Sequence, residues 1–226
     1  MIKGKIPAPS NYASSFWYLF CGLLLTVLAS PFSADFPVIS RYSTTLMFNV
    51  FMFISVWSLA ASARIFRFGV WLVVGISSAI GIHGIVGDSK ILELFALLLM
   101  LTFCVISCFI AAKNVFNMNK VNLDSLIGAF CVYLLQGVIW ALLYRLLLLF
   151  DWGSFTGNIT ADEQAIFSDL LYFSFVTLAS LGYGDIAPIG GLTKTFAYLE
   201  AITGQFYLAV MVASLVGVFI SGRIRH

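Results

Sequence analysis

Six long apolar runs, almost free of charge, constrain what this chain can fold into more than any other feature. They cover Phe16 to Phe32, Tyr42 to Ser62, Phe68 to Gly87, Ile91 to Ala112, Leu123 to Phe150 and Leu192 to Gly222. A helix needs roughly 20 apolar residues to cross a hydrocarbon core. A shorter apolar stretch, Ile166 to Ala179, lies between the last two runs and reads as a re-entrant segment. Only 10% of the 226 residues are charged, whereas a soluble domain carries about 25%, too few here to cover a water-soluble globule. The bilayer is therefore the solvent. A net charge of +2 gives no reason to expect a nucleic-acid partner.

The placement of Lys and Arg sets the orientation. With the N-terminus inside, the cytoplasmic segments hold Lys3, Lys5, Arg64, Arg67, Lys113, Lys120, Arg223 and Arg225, and the outer segments hold Arg41, Lys90 and Lys194. Both termini are expected in the cytoplasm. A second reading takes the first run as a cleaved secretory signal, since Lys3 and Lys5 precede it and small residues follow near Ala29 to Ala34. Cys21, Cys104, Cys108 and Cys131 all fall inside apolar runs without a CxxC pair, which suits packing better than a disulfide or zinc site.

Two units follow: a four-helix membrane domain at residues 1–112 and a helix, re-entrant segment and helix at 123–226, joined by the polar linker 113–122. The polar loop Asp151 to Gln164 contains the sequon Asn158-Ile159-Thr160, a tripeptide common by chance. Four residues follow Gly222, so no cytoplasmic ligand-binding domain is expected.

The re-entrant segment runs into Thr177 to Asp185, TLASLGYGD. This run, lying between two spans, resembles the filter of tetrameric potassium channels, usually seen as T-x-x-T-V-G-Y-G-D. The resemblance extends over about residues 123–222. It implies an all-α membrane protein with six transmembrane helices, a re-entrant pore helix and a selectivity-filter loop, in the arrangement of voltage-gated channels and assembled as a homotetramer. It also implies that K+ is bound by the carbonyls of Ser180, Leu181, Gly182 and Tyr183, with the Ser180 hydroxyl as innermost ligand and Gly184 completing the filter. The physical requirement is that consecutive carbonyls replace the ion's water. Pointing them to one axis needs φ values that glycine tolerates, which Gly182 and Gly184 supply. Leu181 and Tyr183 then turn away from the axis into the surrounding protein. The C-terminus of the re-entrant helix places roughly half a negative charge toward the membrane centre.

In the last run, Gly204 falls where many such channels have a hinge. Gln205 is expected to face the cavity, with Leu208, Val212 and Val216 at helical spacing as lining. Ala209, Ala213, Gly217 and Ser221 recur every fourth residue, which fits close helix packing slightly better than pore lining. Thr177, Asp185 and Glu200 are the expected filter supports. This sequence departs from the common pattern in three ways. Ser180 stands for Thr, Leu181 stands for Val, and Val176 stands where some members hold a carboxylate. Asp185 thus lacks its familiar partners, which leaves Glu200 as a substitute or as the partner of Lys194 or a helix neighbour. Tyr172 and Phe173 are candidates for the aromatic cuff around the filter.

Four helices before a pore resemble a voltage sensor, yet the fourth run carries Glu93 and no basic residue until Lys113, so little voltage dependence is expected from it. His83 reads as a packed histidine before a proton sensor, and Arg145 as snorkelling or paired with an outer carboxylate such as Asp151. The short linker favours packing of each four-helix unit on its own subunit's pore.

The sequence reading is thus a potassium-selective channel in the cell membrane, passing K+ passively, with further copies of the chain and membrane lipids as partners. No small-molecule substrate and no enzymatic activity are expected. The competing readings are a nonselective monovalent cation channel, a non-conducting membrane scaffold, and a GxGD-type intramembrane protease suggested by Gly182 to Asp185. The protease would need a second aspartate in mid-span, and Asp124 and Asp169 both sit at segment ends.

Overall fold

The computed structural model describes residues 15–35, 74–75, 78, 90–116, 123–159 and 166–224. The run Tyr42 to Ser62 and, apart from residues 74, 75 and 78, the run Phe68 to Gly87 lie outside the described residues, as do His83, Arg64, Arg67, Lys3, Lys5 and most of the linker.

The described chain forms α1 (Ser15–Asp35), α2 (Lys90–Phe116), α3 (Leu123–Leu149), β1 (Phe155–Gly157), α4 (Ile166–Leu178), β2 (Ile186–Pro188) and α5 (Gly191–Ile224). The segments Lys90–Lys113, Asp124–Leu149 and Gly191–Ser214 are long and apolar enough to cross a membrane. With no water to take their amides and carbonyls, such segments satisfy the backbone internally as helices. Helix α2 carries Glu93 in its first turn and Lys113 in its last, each opposing the helix dipole. Helix α4, at 13 residues and about 20 Å, is too short to span.

Helix α3 is the centre of the packing. Its Cys131, Val132, Leu135, Val138, Ala141 and Leu142 meet Leu19 and Leu23 of α1, Cys104 and Ala111 of α2, and Leu171 of α4 in one buried cluster. A second cluster lies at the other end of α3. There Tyr144 and Leu147 join Leu170 and Phe173 of α4 and Ile186 of β2. The rings of Tyr144, Phe155 and Phe173 contact edge to face, with centroids 5.1–5.6 Å apart. Quadrupole attraction favours this geometry over face-to-face stacking. Helix α3 stops where Asp151 enters the left-handed region at φ 55°, and the Trp152 amide turns back to the Leu147 carbonyl at 2.9 Å.

Strands β1 and β2 pair antiparallel, with Phe155 opposite Pro188, Thr156 opposite Ala187 and Gly157 opposite Ile186. The polar stretch before α4, expected as a loop, is therefore strapped in part to the segment before α5. Three-residue strands are too short to show a period of two, so they leave no mark in the sequence.

Arg145 does pair with a carboxylate, but Glu93 takes the place of Asp151: the Arg145 Nη2 meets Oε1 of Glu93 at 2.5 Å, joining α3 to α2. The apolar surroundings make an unpaired charge costly, so the guanidinium and the carboxylate find each other.

Candidate functional site

The loop from Ala179 to Asp185 is held at both ends by the backbone. At its start, the Ser180 amide donates to the Thr177 carbonyl at 2.9 Å and the Leu181 amide to the Val176 carbonyl at 2.9 Å. With Ser180 at φ 56°, this is a Schellman ending of α4. Glycine is usual at the left-handed position; a residue with a Cβ there costs roughly 1–2 kcal/mol. At its far end, the Asp185 carbonyl accepts from the Asn158 amide at 2.9 Å, directly beside the β1–β2 ladder.

Between these anchors the backbone alternates. Ser180, Gly182 and Gly184 have φ of 56°, 58° and 78°, while Leu181 and Tyr183 stay on the negative side. Alternating the sign of φ residue by residue cancels the usual flip between successive peptides, so their carbonyls can share one side of the strand. A side chain at Gly182 or Gly184 would be strained by φ alone, since a Cβ at either would meet nothing within 4 Å in this chain.

Side chains from two helices brace the loop. The Gln205 amide Nε2 on α5 donates to Ser180 Oγ at 3.0 Å. The Tyr172 hydroxyl on α4 donates to Asp185 Oδ2 at 2.7 Å. Asp185 is thus partnered by Tyr172, not by Glu200. Glu200 is fully buried and pairs with neither Asp185 nor Lys194. Its Oε2 accepts from the Tyr144 hydroxyl at 2.6 Å, and its Oε1 lies 2.5 Å from Ser174 Oγ. Tyr144 and Ser174 escaped the sequence reading. The signal was available: a carboxyl in mid-helix demands donors, and these are polar groups of the two apolar segments that flank it.

Helices α4 and α5 cross at Gly204. A Cβ there would collide with the Leu178 carbonyl oxygen and would lie 2.9 Å from Leu178 Cδ1. The small residue lets α5 approach the end of α4. Thr177 contributes its carbonyl to the Schellman ending. Phe173 is buried in the aromatic cluster, whereas Tyr172 is half exposed.

Gln205, Leu208, Ala209, Val212, Ala213 and Gly217 line one open groove along α5. The small-residue stripe and the larger apolar residues thus share a face in the single chain. Val216 lies on α5, but its side chain is outside the described residues. In the loop, Leu181 and Tyr183 are 57% and 67% exposed, so the described residues leave them largely uncovered.

A family model described as "Ion channel" matches residues 125–221, the part of the chain that contains α4, the loop and most of α3 and α5. Protein LctB of Bacillus caldotenax is 34% identical over 101 residues, 43% of this chain and 75% of that protein. The inward rectifier potassium channel Kirbac3.1 of Paramagnetospirillum magnetotacticum is 48% identical over 50 residues, 22% of this chain and 17% of that protein. Two-pore potassium channel 5 of Arabidopsis thaliana is 42% identical over 48 residues, 21% of this chain and 12% of that protein. No solved structure matches the chain.

Proposed function

Because the chain belongs to the ion channel family, we propose that it conducts K+ passively across a cell membrane through a filter built from residues 180–184 of four copies. The observation that carries this reading is the alternation of positive φ at Ser180, Gly182 and Gly184. A dehydrated cation needs a column of oxygens on one side of each strand, and an ordinary extended strand presents its carbonyls to alternate sides. Two relatives that bear potassium in their names support the choice of ion.

The homotetramer is supported by what one chain leaves open. Leu181 and Tyr183 are large exposed side chains of the loop, and the α5 groove is open. Four copies around an axis would cover the first and enclose the second as a cavity. In that assembly α4 is a re-entrant pore helix whose C-terminal dipole favours a cation near Gln205. Leu208, Val212 and Val216 line the path, and Gly204 is both a contact point and the hinge candidate. Asp185 supports the filter through Tyr172. With the N- and C-termini inside, the β1–β2 strap stands at the outer mouth. The pairing of α2 with α3 inside one chain supports a four-helix unit that sits on its own pore, and the fixed Glu93–Arg145 pair fits a unit without mobile gating charge.

One observation favours weaker discrimination against Na+. Ser180 lacks the methyl group of the usual threonine, and its hydroxyl is engaged by Gln205. Both loosen its hold as innermost ligand. The test is ion flux in liposomes containing the purified chain, K+ against Na+, with Gly182→Ala as comparison. Flux of K+ well above Na+ that is lost or made nonselective in Gly182→Ala supports the reading. Flux unaltered in selectivity by that change means that the filter lies elsewhere.

A further inference from the structure

Glu200 sits where α3, α4 and α5 meet, and the hydrogens available there constrain its form. Ser174 Oγ on α4 lies 2.8 Å from the carbonyl oxygen of Gly137 on α3 and 2.5 Å from Glu200 Oε1. Tyr144 on α3 donates its only hydroxyl proton to Glu200 Oε2. A carbonyl oxygen can only accept, and a serine hydroxyl carries one proton. If Ser174 donates to Gly137, the contact with Oε1 needs another proton, and the carboxyl group is the one left to supply it. If Ser174 donates to Glu200 instead, its oxygen faces the Gly137 carbonyl at 2.8 Å with no proton between them. A carboxylate would then also stand fully buried with two partners, neither of them a cation. Burying an unpaired charge costs far more than burying a hydrogen-bonded neutral acid.

We propose that Glu200 is a positioning residue held as the neutral carboxylic acid, which donates through Ser174 to the Gly137 carbonyl and so fastens α4 between α3 and α5. Every oxygen of the set is then satisfied: Tyr144 donates to Oε2, Oε1 donates to Ser174, and Ser174 donates to Gly137. Ser174 lies on the same short helix whose C-terminal turn delivers Ser180, so the fastening sets where the loop begins. Glu200 touches no ion; it acts through α4. Its effect on conduction rests on the potassium-channel reading above, while the proton assignment does not.

The test uses the full chain, with Glu200→Gln, Glu200→Ala and Ser174→Ala. A glutamine can copy the acid: its amide nitrogen donates to Ser174 and its oxygen accepts from Tyr144. We expect Glu200→Gln to keep the wild-type K+ to Na+ flux ratio, and Glu200→Ala to lose it by about tenfold, the scale of one unmade buried hydrogen bond. Ser174→Ala breaks the relay while leaving Glu200 and Tyr144 paired; it shows the same loss and stands in for Glu200→Ala should that variant not fold. The infrared difference spectrum between wild type and Glu200→Gln at neutral pH should contain the carbonyl stretch of a protonated acid. A carboxylate band in that spectrum, or a flux ratio as damaged in Glu200→Gln as in Glu200→Ala, overturns the proposal. If the wild-type chain passes no K+, the conduction reading fails, and the infrared band still decides the form of Glu200.

Discussion

Replacing Gly204 by alanine separates two physical effects that a sequence cannot weigh. In an exposed helix interior the change is favourable, by about 1 kcal/mol, because alanine loses less backbone freedom on folding. At Gly204 the added Cβ falls against the Leu178 carbonyl oxygen and 2.9 and 3.1 Å from Cδ1 and Cγ of the same residue. The leucine side chain can rotate away. The carbonyl cannot, since it belongs to the last turn of α4, so α4 and α5 must separate. Overpacking of this kind costs about 1–3 kcal/mol. The net expectation is a loss of zero to about 2 kcal/mol per chain, the difference between those two ranges. The functional loss should exceed the loss of stability, because Leu178 is two residues before Ser180 and its displacement moves the start of the loop. Gly217→Ala is the matched control: a Cβ there meets nothing within 4 Å in the chain. Thermal unfolding in detergent and K+ against Na+ flux in liposomes, run on both variants, read the two effects. If Gly204→Ala is as stabilising as Gly217→Ala and leaves selectivity intact, the close approach of α5 to α4 is not a feature of the working protein.

Other perturbations test other contacts. Removing one member of the Glu93–Arg145 pair leaves a charge in apolar surroundings and should cost about 3 kcal/mol, whereas Glu93→Gln with Arg145→Gln should cost less than the sum of the single changes in a thermal-unfolding cycle. Additive losses would mean that the two side chains do not interact. Tyr172→Phe removes the donor to Asp185 at the half-exposed rim of the loop. It should lower the K+ to Na+ flux ratio without moving the unfolding midpoint, and an unchanged ratio would exclude Asp185 positioning through Tyr172.

What the sequence determined by itself is one-dimensional. The length and apolarity of the runs around α1, α2, α3 and α5 mark helices, because a chain in lipid has no other way to satisfy its backbone. The brevity of Ile166 to Leu178 marks a segment that cannot span, and Gly182 and Gly184 mark positions where the backbone may take positive φ. Tertiary structure alone decided the partners. Glu93 meets Arg145 across 52 positions, and Glu200 meets Tyr144 across 56. Periodicity tells which face of a helix a residue occupies, but not which neighbour crosses that face or at what height. The examples expected, Asp151 for Arg145 and Lys194 for Glu200, followed nearness in sequence, and helix crossing chose Glu93 and Tyr144 in their place. Ser180 illustrates both sides of the division. The sequence placed it fourth in TLASLGYGD, ahead of the two glycines. Only the fold showed that it closes α4 with φ 56° and is held there by Gln205, because a left-handed residue with a side chain persists only where its surroundings fix it.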